Sequence, residues 1–190
     1  TNRQYLPAGT SFTLILQTRP GVRSDEPPKR ALASLWLLTH LGGIGSRARR
    51  GGGSVQVTNV QGQLPSGVPD LQVRAQAPQQ LCDDLAKGLK QLRALVSIGS
   101  PTATISSTPN FDVLHPNACR VVVLNRTWNT WEQALDEVGQ KFQTFRNRRQ
   151  PDYQSVKSVV SGTNRTLQPV ERAAFGLPIV FYYRSLGGQQ

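Results

Sequence analysis

Arg47, Arg49 and Arg50 fall within GGIGSRARRGGGS, a stretch of thirteen residues at 42–54 that contains six glycines and no acid. A guanidinium is planar and permanently charged; it can grip a phosphate with two bonds and stack on a base, which an ammonium cannot. Glycine removes side-chain bulk, so backbone N–H groups can approach phosphate oxygens, and it permits the positive φ angles of anion-binding nests. Gly42, Gly43, Gly45, Ser46 and Gly51 therefore join the three arginines as a candidate loop for holding a sugar-phosphate backbone. A flexible, solvated basic loop has the same composition, but the lack of acids favours binding.

Nucleotide-binding alternatives fit poorly. A phosphate loop of the NTPase kind needs G-x-x-x-x-G-K-[ST] between a strand and a helix, and this loop contains no lysine. The dinucleotide fingerprint G-x-G-x-x-G is also missing, and the loop follows a predicted helix rather than opening one.

A second basic cluster, Arg146, Arg148 and Arg149, lies at the predicted end of a helix, where cations also complement the helix dipole. In the same half, Arg126 stands near Trp128 and Trp131. Trp131 fits the apolar face of its helix and reads as core. Trp128 lies outside the helix and is the candidate for an exposed stacking contact.

Little suggests an enzyme. No G-x-S-x-G turn occurs, and the acid pairs Asp83-Asp84 and Asp136-Glu137 fall on helices as solvated faces. His40, just before the glycine loop, is the residue able to act as acid or base on RNA held there, with packing as its bland role. Cys82 and Cys119 are far apart and read as reduced, largely buried thiols. With His40 and His115 they lack zinc-ligand spacing, so neither a metal nor a cofactor is expected.

Several elements must position these residues. Residues 11–19 (SFTLILQTR), 55–60 (VQVTNV), 71–75, 119–125 (CRVVVLN) and 177–184 (LPIVFYYR) carry strand patterns. Helices are expected over 28–41, ending at Gly42-Gly43, and over 79–98, with Leu81, Leu85, Leu89, Leu92 and Val96 on one face and Gly88 weakening the pattern. Thr130 is placed to cap a third helix that carries Trp131, Leu135, Val138, Phe142 and Phe145. Shorter helical segments follow at 151–160 and 169–175. The Ser/Thr/Pro/Gly-rich stretch 97–117 reads as a linker, dividing the chain into domains at 1–105 and 106–190.

Composition narrows the class of partner. The 22 Lys+Arg against 11 Asp+Glu leave a net charge of +11, and 17 of the cations are arginine, so a polyanion is favoured. No apolar run reaches the ~18–20 residues of a membrane helix, and residues 1–10 lack a secretory leader pattern, so a soluble, cytoplasmic chain is expected. The chain has no methionine and begins at Thr1, which suggests part of a longer polypeptide.

The run WLLTHLGGIGSRARRG at 36–51, followed by RAAFGLPI at 172–179, resembles the RAMP superfamily of CRISPR-associated proteins. More narrowly, it is similar to the family of first subunits of the Cmr (type III-B) effector complex. The triplet Gly51-Gly52-Gly53 departs from that family's pattern, which often places an aromatic between glycines. The resemblance implies an α+β architecture of two ferredoxin-like (RRM-like) βαββαβ domains, incomplete at both ends in this chain. It also implies a non-catalytic subunit of a CRISPR ribonucleoprotein that holds the 3′ region of guide RNA and the facing target RNA in antiviral defence. Other CRISPR effector subunits are the expected protein partners. The alternative within the superfamily is a metal-independent endoribonuclease that processes guide precursors, with His40 as acid or base.

Overall fold

A computed structural model describes residues 6–21, 24–45, 48, 51–96, 114, 119–148 and 150–163. The chain forms two compact units, Thr1–Thr127 and Trp128–Gln190. Among the described residues the regular elements are four helices: α1 (Glu26–His40), α2 (Pro78–Leu95), α3 (Trp131–Asn147) and α4 (Gln150–Val160).

In the first unit, α1 begins where the Glu26 N–H donates to Ser24 Oγ at 3.2 Å, with proline in the first turn, where its missing N–H costs nothing. Its buried residues, Leu32, Ala33 and Trp36, follow three- and four-residue spacing. Helix α2 likewise starts on a proline and buries Leu85, Gly88 and Leu92, one residue per turn along a single seam. The two helices meet at Trp36 and Gly88. An ideal Cβ on Gly88 would overlap Trp36 Cζ2, so the indole occupies the volume that any larger side chain would need.

Leu71 completes this core, and Val57, Val60, Leu64, Val68 and Val123 pack on it partly buried. The irregular segment that delivers Leu71 is pinned by its backbone: Trp36 Nε1 donates to the Asp70 carbonyl at 3.0 Å. The Asp70 carboxylate in turn accepts from the Gln72 N–H and from Arg74 Nε, both at 2.9 Å, which holds the turn that presents the carbonyl.

The expected ferredoxin-like α+β fold is not what forms. Among the described residues there is no strand, and residues 11–19, 55–60, 71–75 and 119–125 run as irregular chain. Period-two alternation prepares a segment for a sheet, but a strand exists only when a neighbour completes its main-chain ladder, and that pairing is non-local. Here Phe12, Leu14, Ile15 and Leu16 are exposed, as are Val121, Val122 and Leu124, whereas Val57, Val60 and Val123 reach the helical core as single side chains. The expected helix at 169–175 and strand at 177–184 lie outside the described residues, as does almost all of the expected linker.

In the second unit, Thr130 caps α3 as its sequence suggests, accepting the Gln133 N–H at 3.4 Å, and Glu132 occupies the first turn, where the helix dipole favours an anion. The apolar stripe of α3 is not buried, however. Trp131 is 58% exposed, and Leu135, Val138, Phe142 and Phe145 are exposed with it, so the reading of Trp131 as core is corrected. Helical spacing guarantees that these side chains share a face, but not that another element covers it. The thiols are also corrected in part: both are free, Cys82 lies exposed on α2, and Cys119 is half-buried. Among the described residues no helix is long and apolar enough to cross a membrane.

Candidate nucleic-acid interface

The glycine-arginine loop leaves α1 through a tight exit. The Leu41 N–H donates to the Leu37 carbonyl at 2.9 Å, which closes the last helical turn. An ideal Cβ on Gly42 would lie 2.9 Å from the Leu38 carbonyl oxygen, so glycine lets the chain turn back against the helix. The far end of the loop then returns to its beginning: the Ile44 N–H donates to the Gly53 carbonyl at 2.8 Å. Gly43 is enclosed by the Gly52 and Gly53 carbonyls, each 3.2 Å from an ideal Cβ.

Gly53 is the position least able to change. Its φ is +74°, and a Cβ there would overlap the Ile44 carbonyl oxygen. Gly53→Ala should destabilise the first unit by about 1–3 kcal/mol, from left-handed backbone strain plus overlap. Denaturant titration against the wild type measures it, and an unchanged midpoint would refute the closure.

The Ile44–Gly53 hydrogen bond thus closes the base of the loop. Within it the Gly51 N–H donates to Ala48 O at 3.2 Å, and Gly45 and Gly51 both have positive φ. Ser46, Arg47, Arg49 and Arg50 lie outside the described residues; the structure contributes the frame, Ile44, Gly45, Ala48 and residues 51–53, between which they fall in sequence. The frame follows a helix C-terminus, whose partial charge is about −0.5, so any attraction for an anion must come from the arginines and the loop N–H groups.

His40 sits at the foot of the loop. Its ring stacks on Trp36 with centroids 4.1 Å apart and planes 11° from parallel. Nδ1 lies 3.0 Å from the Trp36 carbonyl and 3.1 Å from Thr39 Oγ1. A carbonyl can only accept, which assigns the proton to Nδ1. Burial lowers the His40 pKa below its usual value, against opposing contributions from the Trp36 carbonyl and the charge of Asp70. Burial thus favours the neutral imidazole, which packs on Trp36.

Of the second cluster, Arg146 lies in the last turn of α3. The Arg146 guanidinium lies over Phe142, 5.8 Å from the ring centroid, and its Nε is buried without a hydrogen-bond acceptor among the described residues. Arg148 is exposed at the C-cap, and Arg149 lies outside the described residues. Trp128 is half-buried, its indole N–H donating to Glu137 Oε2 at 2.8 Å; Glu137 also meets Lys141 Nζ at 3.1 Å. Trp128 thus anchors the start of α3, and the exposed indole is that of Trp131.

Sequence reasoning missed two features. The Trp36–Gly88 contact was hidden because a glycine in a helical pattern reads as a weakness. The other is a shallow cavity of about 400 Å³ lined by Gln140, Lys141, Thr144, Phe145 and Arg148. Its signal was the i, i+4, i+8 spacing of Gln140, Thr144 and Arg148, overshadowed by the arginine cluster. Among the described residues no group of three or more His, Cys, Asp and Glu is placed to hold a metal ion.

No family model and no solved structure matches this chain. A curated protein does, at 26% identity over 156 residues, 82% of this chain and 44% of the relative, in agreement with the Cmr resemblance read from the sequence. That relative is the CRISPR system Cmr subunit Cmr1-1 of Pyrococcus furiosus. The chain spans less than half of the relative's length.

Proposed function

We propose that this chain is a non-catalytic, RNA-binding part of a type III-B CRISPR effector subunit, working beside other effector subunits. The glycine-arginine loop grips the backbone of guide RNA, target RNA or both. The observation that supports this most directly is the loop closed at its base by the Ile44–Gly53 hydrogen bond, with Arg47, Arg49 and Arg50 falling between those two residues in sequence. A closed base limits the conformations over which three guanidinium groups spread, so less entropy is lost when they meet phosphates. Similarity to a Cmr subunit supports the assembly, and the excess of 11 positive charges supports a polyanionic partner.

His40 takes a structural role in this reading, since its Nδ1 is committed to the Trp36 carbonyl and its ring is stacked. Filter binding of single-stranded RNA across a salt series tests the proposal. The logarithm of the association constant should fall linearly with the logarithm of salt, at about 0.7 for each phosphate neutralised. Affinity that does not change with salt would remove phosphate gripping as the basis of binding.

A further inference from the structure

We infer that the C-terminal half of α3 carries a second site, for one nucleotide of a single-stranded RNA, in the cavity formed by Gln140, Lys141, Thr144, Phe145 and Arg148. The inference rests on the RNA-binding reading and adds a location and a mode of recognition to it.

These five residues fall within an arc of about 140° on α3 at 100° per residue, so one face presents them all. Phe145 stands at the edge where this face meets the exposed apolar stripe; it is 42% exposed, so part of it stays accessible to a base beside the contact it already makes. Gln140 and Thr144 add hydrogen-bonding groups of both senses, as a base edge or ribose hydroxyl requires. Lys141 and Arg148 supply the cations for phosphate.

The charges of the helix agree. Its first half carries Glu132, Asp136 and Glu137, whereas its end and C-cap, residues 141–148 (KFQTFRNR), hold three cations and two phenylalanines without an acid. Cations near a helix C-terminus also serve the dipole, but that half-charge does not call for interleaved aromatics or a cavity. Glu137 partly offsets Lys141 at 3.1 Å, so Arg148 is the principal phosphate contact. A protein partner on the apolar stripe is the rival; the cations and amide beside Phe145 favour a nucleotide.

The test uses the full chain and a 5-iodouridine-substituted single-stranded RNA. Ultraviolet cross-linking should map to Phe145, persist when Arg47, Arg49 and Arg50 are replaced by alanine, and resist competition by A-form duplex. Phe145→Ala should weaken binding by about tenfold and Phe145→Trp should retain it, while Arg148→Ala should lower the salt slope by about 0.7. Salt-dependent RNA binding without a cross-link on α3, or with Phe145→Ala indistinguishable from wild type, would overturn this site and leave the loop reading standing. Failure to bind RNA at low salt would overturn both. A stripe shielded from hydrogen exchange by a protein subunit, with the cross-link lost, would assign the face to that protein instead.

Discussion

Replacing Trp36 with alanine should cost the first unit about 3–5 kcal/mol, the range for deleting a buried indole, and roughly 1 kcal/mol more for the Asp70 carbonyl left without its donor. Trp36 is 2% exposed, the most deeply buried large side chain among the described residues, and it holds three segments together. Its ring fills the notch at Gly88 on α2, its N–H ties down the segment carrying Leu71, and its other face supports His40 beneath the loop. Because a domain is stable by only about 5–15 kcal/mol, this one change removes a large fraction of the total.

The same contact can be probed from the other side. Gly88→Ala should cost about 1–3 kcal/mol through overpacking, despite alanine's better helix propensity, because the added methyl needs space that the indole occupies. In a Trp36→Phe background the smaller ring vacates part of that space, so the penalty of Gly88→Ala should shrink. Denaturant unfolding of the four proteins measures the coupling. Simple additivity would show that the two side chains do not compete for one volume.

The second large effect concerns RNA. Arg47→Ala, Arg49→Ala and Arg50→Ala combined should weaken single-stranded RNA binding by about two orders of magnitude near 0.1 M salt and lower the salt slope by about 2, at 0.7 per phosphate contact. The loss should be nearly independent of sequence, since phosphates carry no base identity. Folding should survive, because the buried core consists of Leu32, Ala33, Trp36, Leu71, Leu85 and Leu92. A thermal melt matching the wild type, together with weakened filter binding, is the expected pair of results. Unchanged affinity would remove the loop from the interface.

The candidate site was legible in unequal parts. Glycines and arginines massed without an acid mark the loop in any fold, because the freedom of glycine and the charge of arginine belong to the residues themselves. The closure of that loop was not legible, since it depends on the Gly53 carbonyl reaching the Ile44 N–H across eight intervening residues. Trp128 and Trp131 show the same limit. Both indoles announce themselves by type, yet which one is engaged follows from where Glu137 stands.

The helices were set by the residues alone: prolines at the starts of α1 and α2, Thr130 capping α3, glycines after α1, and apolar side chains at three- and four-residue spacing. Each of these acts within one or two turns of chain, where hydrogen bonds and caps are local. Tertiary structure decided everything that needs a distant partner. The alternating segments found no ladder among the described residues, Gly88 became the floor of a tryptophan pocket, and the apolar stripe of α3 stayed partly exposed. A periodic pattern states which face of an element is apolar, whereas burial depends on what the rest of the chain brings against that face.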